Sequence, residues 1–358
     1  MSWLLTILGI AALIVIHEGG HALAARSMGM KVERFSLFFP PILLKRRLGE
    51  TEFALGSIPL GGYVKILGQS PIDEVAKADL DRSYGSKPIW RRAFVIAAGP
   101  AANLIACLLL VTALLMVQGR QKVEPIVAGG SLSAPAKGAL LPGDRIISVD
   151  GKTGGPEQFV RQTRSHRCVA PTRPGCSSST PVRVVVVRNG QSKTLTLSPK
   201  WDQRVGAMRL GFSFDIGTQP VGLIEASRAS VTSSFEVTKS TLRAITGIAD
   251  SDQRKQLGGI VGGVAVTEHA FSTDITNALE LLAFISLSIA IVNLMPFLPL
   301  DGGHLLWLLI EKIRGRPASQ ETLERAAMVG FALVAILFVI GLSNDVGRLA
   351  SGGFAGPQ

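Results

Sequence analysis

Cysteine is nearly missing from this chain, with 3 among 358 residues: Cys107, Cys168 and Cys176. Three thiols cannot build a structural zinc site of the four-thiolate kind. No Gly-x-Ser-x-Gly element occurs, so nothing points to an elbow-mounted serine nucleophile. The repeated halves that mark many transporters are absent too. No basic cluster is interleaved with aromatics, so no nucleic-acid partner is expected despite a formal net charge of +11. In so apolar a chain, that balance fits membrane topology and contact with anionic lipid. Met1-Ser2 places no Lys or Arg ahead of the first apolar run, and Glu18 falls before Ala22-Leu23-Ala24, the candidate cleavage site. Both features separate the run from a cleaved leader.

What is abundant is apolar sequence, 47% of residues. Four segments are apolar enough to span a bilayer: Trp3–Ala25, Ala93–Val117, Leu281–Ile310 and Ala326–Leu342. A hydrocarbon core about 30 Å thick requires about 20 helical residues. The fold class predicted is a polytopic α-helical membrane protein of about four transmembrane helices with one β-rich module. The segment between the first two spans carries Arg26, Lys45, Arg46, Arg47, Arg91 and Arg92, and that between the last two carries Lys312, Arg314, Arg316 and Arg325. Such loops belong in the cytoplasm. Both termini and the long 119–275 region are then extracytoplasmic, with the chain in the cell's inner (plasma) membrane. There Cys168 and Cys176, eight residues apart, are expected to pair in an oxidising compartment, while Cys107 serves packing.

Inside the first span lies His17-Glu18-Gly19-Gly20-His21. Residues four apart share a helix face, so both imidazoles can reach one metal ion. Glu18 is left beside that ion as a base for water. Of the residues from Trp3 to Ile16 only Thr6 is polar. A charged residue at the centre of a membrane helix costs roughly 2.5–3.5 kcal/mol on insertion scales, and a metal is the natural compensation.

A catalytic zinc takes three protein ligands and one open position. The third span reads Asn293-Leu294-Met295-Pro296-Phe297-Leu298-Pro299-Leu300-Asp301-Gly302-Gly303-His304. Its prolines and glycines break the helix, which is tolerated at membrane depth only against protein or a wet cavity. Asp301 is the preferred third ligand and His304 the competitor. At 1.5 Å per residue, His17 lies about 21 Å and Asp301 about 30 Å into their spans. Both spans run from outside to inside, so the two sites meet in the cytoplasmic half.

Together, His17-Glu18-x-x-His21 and Asn293-x-x-Pro296-x-x-Pro299-Leu300-Asp301-Gly302 resemble the site-2 protease family, in particular its bacterial RseP-type branch. Gly99-Pro100-Ala101-Ala102-Asn103 and the stretch Phe53–Lys65 are similar to family motifs as well. The resemblance covers nearly the whole chain. It implies an intramembrane zinc metalloprotease with one Zn2+ per chain, held by His17, His21 and Asp301, with Glu18 catalytic. It places Asn293 near the substrate path, and Asn103 is grouped with it as a substrate-side candidate. It also implies that residues 51–65 form a membrane-dipping β hairpin beside the active site. The residues themselves read the same way, with Phe53 and Leu55 alternating as in a strand, Gly61-Gly62 offering a turn, and Tyr63-Val64 returning. Such an edge holds a substrate in extended form. The substrates implied are single-pass membrane proteins, such as anti-sigma factors or remnant signal peptides, already cut once outside the membrane. A metal transporter and a non-catalytic scaffold are the alternatives.

Between the second and third spans, the Asn189-Gly190 turn between Val182–Arg188 and Thr194–Leu197 is a strong hairpin pattern. With Leu141–Gly151, it looks like a single, circularly permuted PDZ domain over 119–200, with a long insertion at Gln162–Pro181. Further on, Val231, Phe235, Leu242, Ile245 and Ile248 recur at helical spacing. They predict an amphipathic surface helix within a 201–276 linker. The remaining divisions are 1–118 with the first two spans, 277–345 with the last two, and a 346–358 tail.

Overall fold

The computed structural model describes residues 2–70, 73–130, 132–168, 175–203, 205–246 and 260–350. They form two compact units, residues 1–115 with 222–358, and residues 116–221.

In the first unit, α1 (Ser2–Ser27) is followed by β1 (Val32–Leu48), β2 (Thr51–Ile66) and α2 (Ile89–Gln118). Among the described residues, four helices are long and apolar enough to cross a membrane: Ser2–Ser27, Ile89–Gln118, Ile275–Asn293 and Gln320–Arg348. Bulky side chains such as Leu8, Leu23, Leu109 and Phe331 are exposed on them. A helix apolar on all faces is solvated by lipid or buried in protein. The third span differs from the single segment 281–310 read from the sequence. Helix α6 (Ile275–Asn293) ends at Asn293, and a new helix, α7, begins at Asp301 and runs to Arg314. Between them Leu300 N–H donates to the Phe297 carbonyl and Gly303 N–H to the Leu300 carbonyl, which satisfies backbone freed at the break.

The strand β1 went unread, since Pro40-Pro41 argues against strand structure. It pairs with β2 in two registers: Leu37 lies opposite both Leu55 and Gly62, and Leu44–Leu48 form a hairpin with Thr51–Leu55. Tyr63 and Val64 do return, but against Ser36 and Phe35, so β1 lies between the two halves of β2. Beneath this sheet Ala24, Ala25, Met30, Val32, Ile66, Tyr84, Val95 and Ile96 form one buried cluster.

Helix α4 (Leu223–Thr246) corrects the surface-helix reading. Val231, Phe235 and Leu242 face outward, while Ser230 and Ser234 are buried. Ser230 Oγ donates to the Leu108 carbonyl at 3.1 Å, and Ser234 Oγ lies 3.8 Å from Cys107 Sγ. Small residues let α4 approach the body of α2 closely, as membrane helices do. Ile248 of the expected face lies outside the described residues. Helix α5 (Ile260–Thr273) was not anticipated; Ser2 Oγ donates to Glu268 on it at 2.6 Å. The last helix, α8, runs Gln320–Ala350.

The second unit is a sheet of strand order β10-β3-β4-β6-β7, with β5 on β4. Its strands are β3 (Arg120–Val127), β4 (Arg145–Val149), β5 (Lys152–Thr153), β6 (Val182–Arg188), β7 (Gln191–Leu197) and β10 (Phe214–Gln219). Helix α3 (Pro156–Arg164) and the β8–β9 pair (Lys200–Asp202 with Ala207–Arg209) complete it. Its core includes Val127, Leu140, Ile146, Phe159, Val182, Val184 and Val186. The unit reaches Val221 rather than residue 200, because β10 returns to pair with β3. Cys168 and Cys176 are joined by a disulfide; residues 169–174 of the predicted insertion lie outside the described residues.

Asp144 in this unit is buried and accepts from Arg188 Nε and Nη2, both at 2.7 Å, and from Leu141 N–H at 2.9 Å. The Arg188 guanidinium holds the Asp144 carboxyl below its usual range, against the opposing effect of burial. A depressed folded-state pKa stabilises above the unfolded value, about 3.9, and the gain is lost as pH falls through the folded value. Arg188→Gln is therefore expected to weaken the module at neutral pH. It should also move acid unfolding to higher pH, followed in the full chain by hydrogen exchange of β4 and β6. Coincident acid transitions in variant and parent would count against this role.

Candidate metal centre

Helix α1 runs unbroken through Gly19 and Gly20, so the i, i+4 geometry of His17 and His21 is intact. Both rings are buried and meet edge-on, with centroids 5.0 Å apart. Asp301 opens α7, where a carboxylate is favoured by the helix macrodipole. Its Oδ2 lies 3.2 Å from His17 Nε2 and 3.4 Å from His21 Nε2. Ligand atoms about 2.0–2.1 Å from a tetrahedral zinc stand roughly 3.3 Å apart, so the separations fit the ion. Asp301 Oδ2 is buried and has no hydrogen-bond partner. Among the described residues, His17, His21 and Asp301 are the group of ligand atoms close enough to share a metal. His304, three residues along α7, is exposed and outside that group.

The second helix shapes the site. His21 Nδ1 lies 2.9 Å from the Val95 carbonyl. Donating its proton there, the ring presents Nε2 as a lone pair, the usual arrangement behind a metal-bound imidazole. Gly99 provides the space, since a Cβ at that position would stand 2.2 Å from His21 Nε2. Gly20 likewise lets α1 approach α2, for a Cβ there would be 2.4 Å from the Ala98 carbonyl oxygen.

Glu18 is half-buried on the same helix. A Cβ on Gly62 would meet the Ser36 carbonyl oxygen at 2.8 Å and Glu18 Cγ at 3.0 Å. The sheet thus abuts the glutamate directly. Gly61, at φ +157°, packs over the Phe39 ring, whose plane is parallel to that of Tyr63. Asn293 is half-buried at the last turn of α6. Asn103 is wholly buried, its backbone carbonyl accepting from Ser286 Oγ at 2.9 Å. It sits inside the contact between α2 and α6, with its side-chain amide atoms buried and without a hydrogen-bond partner. Sequence reasoning missed Val95, which acts through a backbone atom, and Ser36 and Phe39, which belong to the unread strand.

Comparison with known proteins adds independent findings. Peptidase family M50 matches residues 5–337. A protein of Agrobacterium fabrum is 32% identical over 375 residues, covering 96% of this chain and 95% of the relative. One from a Nostoc species is 31% identical, covering 98% and 97%. One from Rhizobium meliloti is 30% identical, covering 94% of each. All three bear the name "Putative zinc metalloprotease".

Gly99→Ala puts a methyl group against the His21 ring. It is expected to weaken zinc binding about 10-fold or more, the range seen when the support of a metal ligand is disturbed. Chelator competition on detergent-purified protein measures this, and parent-like affinity would contradict the packing argument.

Proposed function

This chain belongs to peptidase family M50 and is a zinc metalloprotease, and from that premise we propose that it hydrolyses peptide bonds within the transmembrane segments of single-pass membrane proteins. His17, His21 and Asp301 hold the zinc, and Glu18 is the general base. The observation that carries this reading is the convergence of three ligand atoms, at tetrahedral-zinc separations, on helices of membrane-spanning composition.

When bound, zinc supplies Lewis acidity, polarising the scissile carbonyl and lowering the pKa of water toward about 7. Glu18 takes the proton from the attacking water and delivers it to the leaving amine. Peptide bonds inside a helix are hidden, so the substrate must be extended at the cut. The Gly62–Ile66 half of β2 is paired with β1 on one side and abuts Glu18. A substrate strand added beside it places its carbonyl next to the metal centre.

The basic loops put the active site in the cytoplasmic half of the inner membrane, with both termini outside. The Cys168–Cys176 disulfide supports an oxidising, extracytoplasmic place for the second unit. That unit acts as a PDZ-type filter, admitting substrates that a first protease has trimmed outside, such as an anti-sigma factor or a remnant signal peptide.

Glu18→Gln is expected to retain zinc and lose cleavage of a model transmembrane substrate by 100-fold or more, the scale of general-base catalysis. Retained cleavage rejects the base role, and zinc flux in liposomes would favour transport instead. Gly62→Val, which intrudes between Ser36 and Glu18, is expected to cut turnover while leaving zinc content unchanged. Parent-like turnover would remove the sheet from substrate presentation.

A further inference from the structure

The metal centre draws its second and third ligands from different helices, and one face of α2 touches the supports of both. Arg92, Val95 and Gly99 stand at i, i+3 and i+7 along it. Val95 and Gly99 set the tautomer and the space of His21. Arg92, one turn earlier, reaches α7: its Nη1 donates to Glu311 Oε2 at 3.0 Å and its Nη2 to Oε1 at 2.5 Å. The two side chains are only 13% and 16% exposed, so water screens the pair weakly. Arg92 also lies over the Tyr84 ring, 5.9 Å from its centroid. Leu305, on α7, packs against the cluster that holds Tyr84, Val95 and Ile96.

We infer that Arg92 is a positioning residue for the metal centre, locking α7 through Glu311 so that the Asp301 carboxylate faces His17 and His21. The inference rests on the zinc ligation proposed above. Asp301 and Glu311 are ten residues apart on one helix, about 15 Å along its axis. A rotation of α7 by about 10° moves an atom roughly 5 Å from the axis by about 1 Å. Metal–ligand distances tolerate only about 0.2 Å. At its start α7 follows the backbone-bonded 297–303 turn and is packed closely, since a Cβ on Gly302 would stand 2.2 Å from the Leu294 carbonyl oxygen. Packing of small residues limits approach but constrains rotation poorly. A bidentate guanidinium–carboxylate pair has one preferred plane and register, which supplies the missing constraint at the other end. A purely topological role for the charge is a weaker account. The same loop keeps Arg26, Lys45, Arg46, Arg47 and Arg91, and a topogenic arginine needs no buried carboxylate partner.

The test is zinc affinity, by chelator competition on the detergent-purified full chain, with cleavage measured in parallel at saturating zinc. Arg92→Gln and Glu311→Gln are each expected to weaken zinc binding about 10-fold. Cleavage should recover once zinc saturates the site, because no reacting group has changed. The exchanged pair, Arg92→Glu with Glu311→Arg, is expected to restore most of the affinity. Parent-like affinity in the single variants, or no recovery in the exchanged pair, overturns the inference. If Arg92→Gln does not yield folded protein, Glu311→Gln decides alone with the same two outcomes. Asp301→Ala separates this inference from the reading beneath it. Undiminished zinc in Asp301→Ala rejects the ligand assignment itself. Zinc lost there but kept in Glu311→Gln rejects only the positioning role.

Discussion

Two imidazoles and a carboxylate converge among apolar side chains, and the fold around them is arranged to make that tolerable. Neither Asp301 Oδ2 nor His17 Nδ1 has a hydrogen-bond partner in the protein. Buried polar atoms are ordinarily paired, and an unpaired charge in a poorly solvated setting is costly. A zinc ion would answer that cost at Asp301 Oδ2, with both Nε2 atoms as its other ligands, and would leave His17 Nδ1 unpaired within the protein. The constraint also dictates secondary structure. Two ligands four residues apart demand an unbroken helix, which α1 is. The third must arrive from elsewhere, from an element that presents a carboxylate without a full helical turn around it. The first residue of a helix meets that requirement, and α7 begins at Asp301.

The same demand explains where close approach is required. His21 could not occupy its place beside a residue with a Cβ at position 99, nor could α1 press on α2 if residue 20 had one. Around the metal centre, therefore, backbone does much of what side chains do elsewhere. The Val95 carbonyl fixes a histidine, the Gly62 backbone abuts the glutamate, and the Ser36 carbonyl lines the strand beside it. What the metal centre draws from Val95 is a backbone atom, so a shift in register there disturbs it directly, while the Val95 side chain serves the buried cluster.

That distinction separates what was legible in the sequence from what was not. His17, Glu18 and His21 were legible because a local, four-residue spacing carries their geometry. Asp301 was legible as a candidate because prolines and glycines announce a break. Its preference over His304 depended on the rotation of α7, which contacts with α2 and the 294–300 turn determine. The strand β1 was hidden by Pro40-Pro41 and by pairing on both sides with segments of β2, a non-local arrangement with no pattern of its own. The boundary at Val221 was missed for the same reason, because β10 completes a sheet begun at Arg120. Helix α4 misled in a different way. Its apolar spacing was real and those residues face outward, but Ser230 and Ser234 seat the helix against the body of α2. In a chain of membrane-spanning composition, apolar periodicity no longer identifies the buried face, because lipid and protein interior reward the same side chains.

The sheet beside α1 connects this architecture to catalysis. A metal and a base can hydrolyse only a bond they can reach, and a substrate's own helix hides its carbonyls in hydrogen bonds. Unwinding a few residues at membrane depth would strand backbone groups, each costing several kcal/mol, unless a partner replaces the lost bonds. A strand edge is such a partner, offering N–H and C=O groups at the spacing of an extended chain. Placing that edge against the base couples the two requirements. On the function proposed, the geometry that would compensate the unwound backbone would also bring the bond to Glu18, so a segment that stays helical would be neither bound nor cut. Selectivity on this account follows from how readily a membrane segment gives up its helix, while the glycines at 61 and 62 let the Phe39 ring, the Ser36 carbonyl and Glu18 close on the strand.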